Sequence, residues 1–140
     1  MEFIFGHDAT IAEWVGKAIG KPFHPPFTAF GMVDGAGRLR GGFVFTGWTG
    51  DAVEMSLAGG GCLTRSAMAA VDRYVFGQLG CSRLEIHTRK GNKRARKMIP
   101  RAGFRFEGVA RRLYGREDGL CYAITTDDLP ALRARWRIAT

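Results

Sequence analysis

Three glycines, Gly59-Gly60-Gly61, separate a strand-like run ending at Ala58 from a helical pattern that begins near Leu63 or Thr64. A junction of this kind presents bare backbone N–H groups at the positive end of a helix dipole, and glycine lets an anion approach the backbone closely. The chemistry on offer is the binding of a pyrophosphate or a comparable anion. A glycine turn that only reverses the chain has the same composition, so both readings stand. Further along, Arg89, Lys90, Lys93, Arg94, Arg96 and Lys97 place six cations within nine residues, and Arg101, Arg105, Arg111, Arg112 and Arg116 extend the positive region. Such a run is a solvated helix face, a complement to ligand phosphates, or a footprint for a nucleic-acid backbone. Aromatic residues do not interleave with these arginines, so stacking on single-stranded bases is not signalled.

Groups able to move a proton or act as nucleophile are fewer. Glu54 lies in the strand-like run Ala52–Ala58, where its plain reading is an outward-facing carboxylate paired with a neighbouring arginine. His87 sits on a strand before the basic run, and His7 and His24 carry no better claim to proton transfer. Tyr114 and Tyr122 fall where amphipathic packing explains a tyrosine without catalysis. A thiol at a helix N-terminus, as Cys62 is placed, can become nucleophilic, but no base accompanies it in sequence, which favours a structural thiol.

The elements that must position these groups follow from periodicity and turn chemistry. Glu2 to Phe5 reads as a strand, and Asp8 or Thr10 can cap a helix with Ile11, Trp14, Val15, Ala18 and Ile19 at helical spacing, ending near Gly20 and Pro22. Residues 21 to 26 hold three prolines and read as a loop. Strands over 27 to 33 and 38 to 46 are joined by Asp34-Gly35-Ala36-Gly37, and a third strand covers 52 to 58. A helix then repeats Leu63, Ala67, Val71, Val75 and Leu79 every fourth residue, with Arg65, Asp72 and Arg73 off that stripe. Arg83 to Thr88 alternates as a strand. A second helix begins at Gly91 and Asn92 with an apolar face of Ala95, Met98, Ile99 and Ala102, and Pro100 is expected to weaken or kink its last turn. Strands over 104 to 109 and 120 to 125 and a short C-terminal helix or tail from Asp127 complete the chain. The pattern is α+β, with helices covering an antiparallel-dominated sheet of six to seven strands.

The stretch from Glu85 through Asn92 to Ala95, followed by Ala102-Gly103-Phe104 and Phe106-Glu107-Gly108, resembles the C-terminal half of the Gcn5-related N-acetyltransferases, the GNAT superfamily. In that family an Asn with Ala or Ser three residues later opens the helix after the fifth strand, and a Gly-Phe pair ends it. Asn92, Ala95, Gly103 and Phe104 match. The upstream meander, glycine loop and amphipathic helix follow the family's order, so the resemblance covers about residues 1 to 125, with a flavour of the small GNAT-like proteins of phages and prophages.

The resemblance implies transfer of an acyl group, most simply acetyl from acetyl-coenzyme A, to an amine of a small molecule or protein. It implies that Glu54 or a water acts as base, that Ser56, Leu57 and Ala58 pair with the pantetheine arm, and that the stretch containing Gly60, Gly61, Leu63, Thr64 and Arg65 holds the pyrophosphate. Asn92 is placed near the thioester, with Arg94 and Ala95 beside it at the coenzyme. The chain departs from the family at two points. Gly59, Cys62 and Thr64 stand at the marked positions of the phosphate loop, and Ile99 stands where a tyrosine commonly serves as general acid. These departures keep two other readings open: a phage-type nucleic-acid-modifying or DNA-binding protein on the same scaffold, with residues 89 to 116 as its basic surface, and a non-catalytic GNAT-like interaction protein.

Bulk properties bound these readings. The 140 residues match one domain, 1 to 140, with 46% hydrophobic residues and a net charge of +8 that attracts anions of any kind. Three widely spaced cysteines signal neither a disulfide framework nor a metal site. No apolar run is long enough to span a bilayer, and a cytoplasmic protein is expected, with a homodimer using residues such as Trp136 as one option.

Overall fold

The computed structural model describes residues 1–59 and 63–138. The chain forms two compact units, one of Met1–Trp48 with Glu54–Cys62, the other of Thr49–Val53 with Leu63–Thr140.

In the first unit β1 (Glu2–Ile4), β2 (Thr28–Val33), β3 (Leu39–Thr46) and β4 (Ala52–Ala58, from Glu54 on) pair in chain order, each antiparallel to the next. The β2–β3 hairpin turns where the Asp and glycines predict it. Asp34 Oδ1 accepts from the N–H groups of Ala36 and Arg38 at 2.9 and 3.0 Å, and Oδ2 accepts from Arg40 Nε at 2.8 Å. These bonds, led by the Arg38 amide, hold the Asp34 carboxyl below its ordinary range.

Helix α1 (Asp8–Ile19) lays Ile11, Ala12 and Val15 on this sheet with Ala29, Val44 and Ala58. The approach is close because Gly42 has no side chain; a Cβ there would meet Val15 Cγ2 at 2.7 Å. The helix starts after His7 with no side-chain cap, so neither Asp8 nor Thr10 performs the expected capping. Asp8 instead lies in the first turn, where its charge favours the dipole. Gly20 closes the helix in the left-handed conformation, as Gly at this place predicts.

In the second unit β5 (Arg83–Arg89), β7 (Glu117–Thr125) and β6 (Arg105–Tyr114) form an antiparallel set with β7 in the middle. Both closing strands extend past the expected 104 to 109 and 120 to 125, because residues 110 to 119 continue the hairpin around a bulge. Helix α2 (Arg65–Asp72) runs directly into π-type turns over Arg73–Gln78, with Ala67, Val71 and Val75 of the predicted stripe buried, while Leu63 precedes the helix, Leu79 follows the turns, and both are half-buried. Helix α3 (Lys93–Ala102) passes through Pro100 and is closed only at Gly103, whose N–H reaches the carbonyls of Ile99 and Pro100. The proline sits in the last turn and therefore does not end the helix. After a single 3-10 turn, α4 (Leu129–Trp136) buries Leu129, Leu132 and Trp136, so Trp136 is a core residue and not the exposed interface side chain expected from the sequence.

Seven strands thus form among the described residues, and the fold class is mixed α+β with antiparallel pairing, as the element pattern predicts. No described helix is long and apolar enough to cross a membrane.

Candidate functional site

Two helix N-termini in the second unit are capped by their own side chains. Thr64 caps α2, its Oγ1 accepting from the Ala67 N–H at 3.2 Å. Asn92 caps α3, its Oδ1 accepting from the Ala95 N–H at 3.1 Å. The first turn of α3 carries no acidic residue and begins Lys93-Arg94, placing cations against the positive end of the dipole. That arrangement costs a few tenths of a kcal/mol to about 1 kcal/mol per charge unless an anion offsets it. Arg94, Lys97 and Arg101, at helical spacing on one face of α3, line a cavity of about 410 Å³ together with Met98, Ala102 and Leu63, the residue preceding the α2 cap. Its lining combines three cations with three apolar residues, which suits a ligand with phosphates and an apolar body.

In the first unit Glu54 stands on β4 opposite Thr46 and is half-buried, its side chain 23% exposed. Its Oε2 accepts from Lys21 Nζ at 3.1 Å, so the pairing expected with an arginine is made by a lysine from the proline-rich loop. Ser56 and Ala58 are buried and Leu57 is half-buried, opposite Val44, Gly42 and Phe43 of β3 respectively. Strand alternation puts Glu54, Ser56 and Ala58 on one face.

The sequence-predicted residues therefore fall into groups. Leu63 and Arg94 meet at one cavity, Asn92 and Ala95 meet in one cap, and Glu54, Ser56, Leu57 and Ala58 share one strand. Gly60 and Gly61, with Cys62, lie outside the described residues. Arg65 opens α2, but it lines a different cavity, with Arg73, Arg133 and Arg137. Ile99 is buried at 2% exposure, so the place of the family's tyrosine acid is core packing here. Tyr122 is buried edge-on against Phe106, and Tyr114 lies under the Arg89 guanidinium at 4.4 Å, in keeping with the packing reading of both. His87 Nε2 lies 3.7 Å from Glu85 Oε2. Lys97 and Arg101 belong to the cationic run read from the sequence but are not among its candidate site residues, and Lys21 is not singled out there at all. The spacing of 94, 97 and 101 is the signal that would have found the first two; Lys21 had none.

No protein-family model matches the chain, and no curated protein matches it in sequence. Solved structures do match. A protein described as an acetyltransferase superposes with a TM-score of 0.72 at 18% identity, over 83% of this chain and 69% of that one. The ribosomal-protein-S5-alanine acetyltransferase from Vibrio fischeri gives 0.61 at 21% identity, over 73% and 63%. The spermidine/spermine N-acetyltransferase from Vibrio cholerae gives 0.70 at 13% identity, over 95% of each chain. The chain has the GNAT fold. The GNAT resemblance carried by Asn92, Ala95, Gly103 and Phe104 thus extends to architecture, and it is the fold that these identities establish.

Proposed function

We propose that this GNAT-fold chain, residues 1 to 140 acting as one acyltransferase domain, is an acyl-coenzyme A-dependent N-acyltransferase that moves an acetyl group from acetyl-coenzyme A to an amine. The observation that carries the reading is the α3 cavity, with Arg94, Lys97 and Arg101 beside the residue that leads into α2, within a fold shared with acetyltransferases. Cationic side chains there take the phosphates, and backbone N–H groups at the start of α2 add the dipole's attraction. Arg65, which lines the other cavity, contributes here through its backbone. Ser56 to Ala58 serve the pantetheine arm.

The acceptor amine attacks the thioester carbonyl carbon as a lone-pair nucleophile; the C–N bond forms, the C–S bond breaks, and coenzyme A leaves as the thiol, its sulfur taking up the proton that the nitrogen sheds as the amide forms. The amine must first lose a proton, and Glu54 is the carboxylate proposed to take it, directly or through water. Glu54 already holds an ammonium group, that of Lys21, so an acceptor ammonium would compete for the same oxygen. Holding both reactants supplies much of the acceleration, and the buried Ile99 argues against a tyrosine acid at that position.

The test is release of coenzyme A thiol from acetyl-coenzyme A against a panel of di- and polyamines and N-terminal peptides. Amine-dependent release that falls at least about tenfold in Glu54→Gln supports the reading. Binding of acetyl-coenzyme A without release by any amine would point instead to a GNAT-fold protein kept for binding. Tight DNA binding with a steep salt dependence and no coenzyme binding would favour the nucleic-acid reading of residues 89 to 116.

A further inference from the structure

The second unit contains another cavity, of about 600 Å³, lined among others by Arg65, Arg73, Asp72, Arg133, Trp136 and Arg137. Its charged wall is four arginines against one aspartate. The aspartate is already used: Asp72, 5% exposed, accepts from Arg133 Nε and Nη2 at 2.8 Å each. Arg65, Arg73 and Arg137 are left facing one concavity with no carboxylate partner among the described residues. Three like charges around one hollow repel each other, and an anionic ligand would relieve that repulsion.

Two backbone features converge on the same place. Arg73 and Gly77 reach the cavity from the π-type turns that interrupt the regular helix after Asp72, where Leu79 N–H bonds to the Tyr74 carbonyl at 2.8 Å. Wide turns of this sort concentrate at functional sites. Arg137 ends α4 at φ 59° and ψ 44°, a left-handed position that glycine ordinarily fills, and it lines the cavity. The lining cations are arginines only. A planar guanidinium offers paired N–H donors that match two oxygens of one phosphate, which a lysine does not.

We infer that this arginine-lined cavity between α2, its π-type continuation and α4 is a binding site for a small phosphate-bearing molecule, separate from the α3 cavity assigned to coenzyme A. The volume fits a pyrophosphate or a nucleoside phosphate, with Ala69, Trp136 and Ile138 supplying the apolar part of the wall. The inference stands whether or not the chain is an acyltransferase.

The probes are sodium pyrophosphate and ADP, titrated into the full chain while the indole N–H resonance of Trp136 is followed by NMR. The expected result is a saturable shift of that resonance, with affinity falling at least about tenfold in Arg73→Glu/Arg137→Glu and retained in Arg94→Glu/Lys97→Glu. Gly77→Asp is a second variant: a Cβ at Gly77 meets open space, so the fold tolerates it while a carboxylate enters the rim. It too should weaken binding. No shift with millimolar probe, equal affinity in the Arg73/Arg137 variant and wild type, or loss only in the Arg94/Lys97 variant would each overturn the assignment. Binding to a short DNA duplex with neither small probe bound would likewise overturn it.

Discussion

Substituting Asp72 by alanine removes one half of a buried ion pair and is expected to cost more than any surface change in this chain. The Asp72 side chain is 6% exposed and that of Arg133 is 29% exposed, and two bonds at 2.8 Å join them. Asp72 in turn holds the Arg133 guanidinium above its ordinary pKa. Hydrogen bonds to charged groups contribute about 1.5–3 kcal/mol each net of solvation. In Asp72→Ala the freed guanidinium can rehydrate, so the sum sits at the low end, about 3 kcal/mol. In Arg133→Met the carboxylate stays buried without its cation, and the cost rises to about 4 kcal/mol. The double variant removes both charges and is expected to lose only about 1–2 kcal/mol, a coupling of several kcal/mol. For a chain of this length about 3 kcal/mol lowers Tm by roughly 10 °C. Urea and thermal unfolding of the four proteins at neutral pH measure the cycle. Additive single costs, or an Asp72→Ala loss below about 1 kcal/mol, would refute the account of this pair.

Two further outcomes follow from local geometry. Thr64→Ala removes the α2 cap bond to the Ala67 N–H and should lower unfolding stability by about 1 kcal/mol, whereas Thr64→Ser should restore most of it; equal stability of all three proteins would show that the cap contributes nothing. Glu107 is held below its ordinary pKa of 4.5 mainly by the hydrogen bond from Arg83, whose Nη1 and Nη2 reach its two oxygens at 3.0 and 2.5 Å. A carboxylate depressed in the folded state stabilises above its unfolded pKa, and that contribution disappears as pH falls through the folded value. Wild type should therefore lose Tm more steeply than Glu107→Gln between about pH 5 and pH 3, and parallel profiles would remove the pair from the acid response.

Local chemistry was legible in the sequence and distant pairing was not. The Asp34 turn, the α2 stripe and the Asn92 cap are each decided within a few residues by side chains that bond to their own backbone or repeat at helical spacing. Asp72 and Arg133 are 61 residues apart, and Lys21 and Glu54 are 33 apart, so no periodicity could join them. Asp72 lies off the apolar stripe, as the sequence shows, and its burial depends on the α4 arginine, which is visible only in three dimensions. Strand ends on β6 and β7 depend on the partner's register, which the turn residues 115 to 119 did not reveal. Of the phosphate contacts that the resemblance implies, Arg94 lines the α3 cavity, while Arg65 follows the glycines in sequence yet lines the other cavity, a difference that position along the chain does not reveal.

The central claim, coenzyme binding at the α3 cavity, is tested most directly by calorimetric titration of acetyl-coenzyme A into wild type and Arg94→Glu/Lys97→Glu, with Tm followed in parallel. The account predicts micromolar binding that raises Tm and weakens at least about tenfold in the variant. Absence of heat and of any Tm shift at millimolar ligand, or equal affinity in the two proteins, would contradict it.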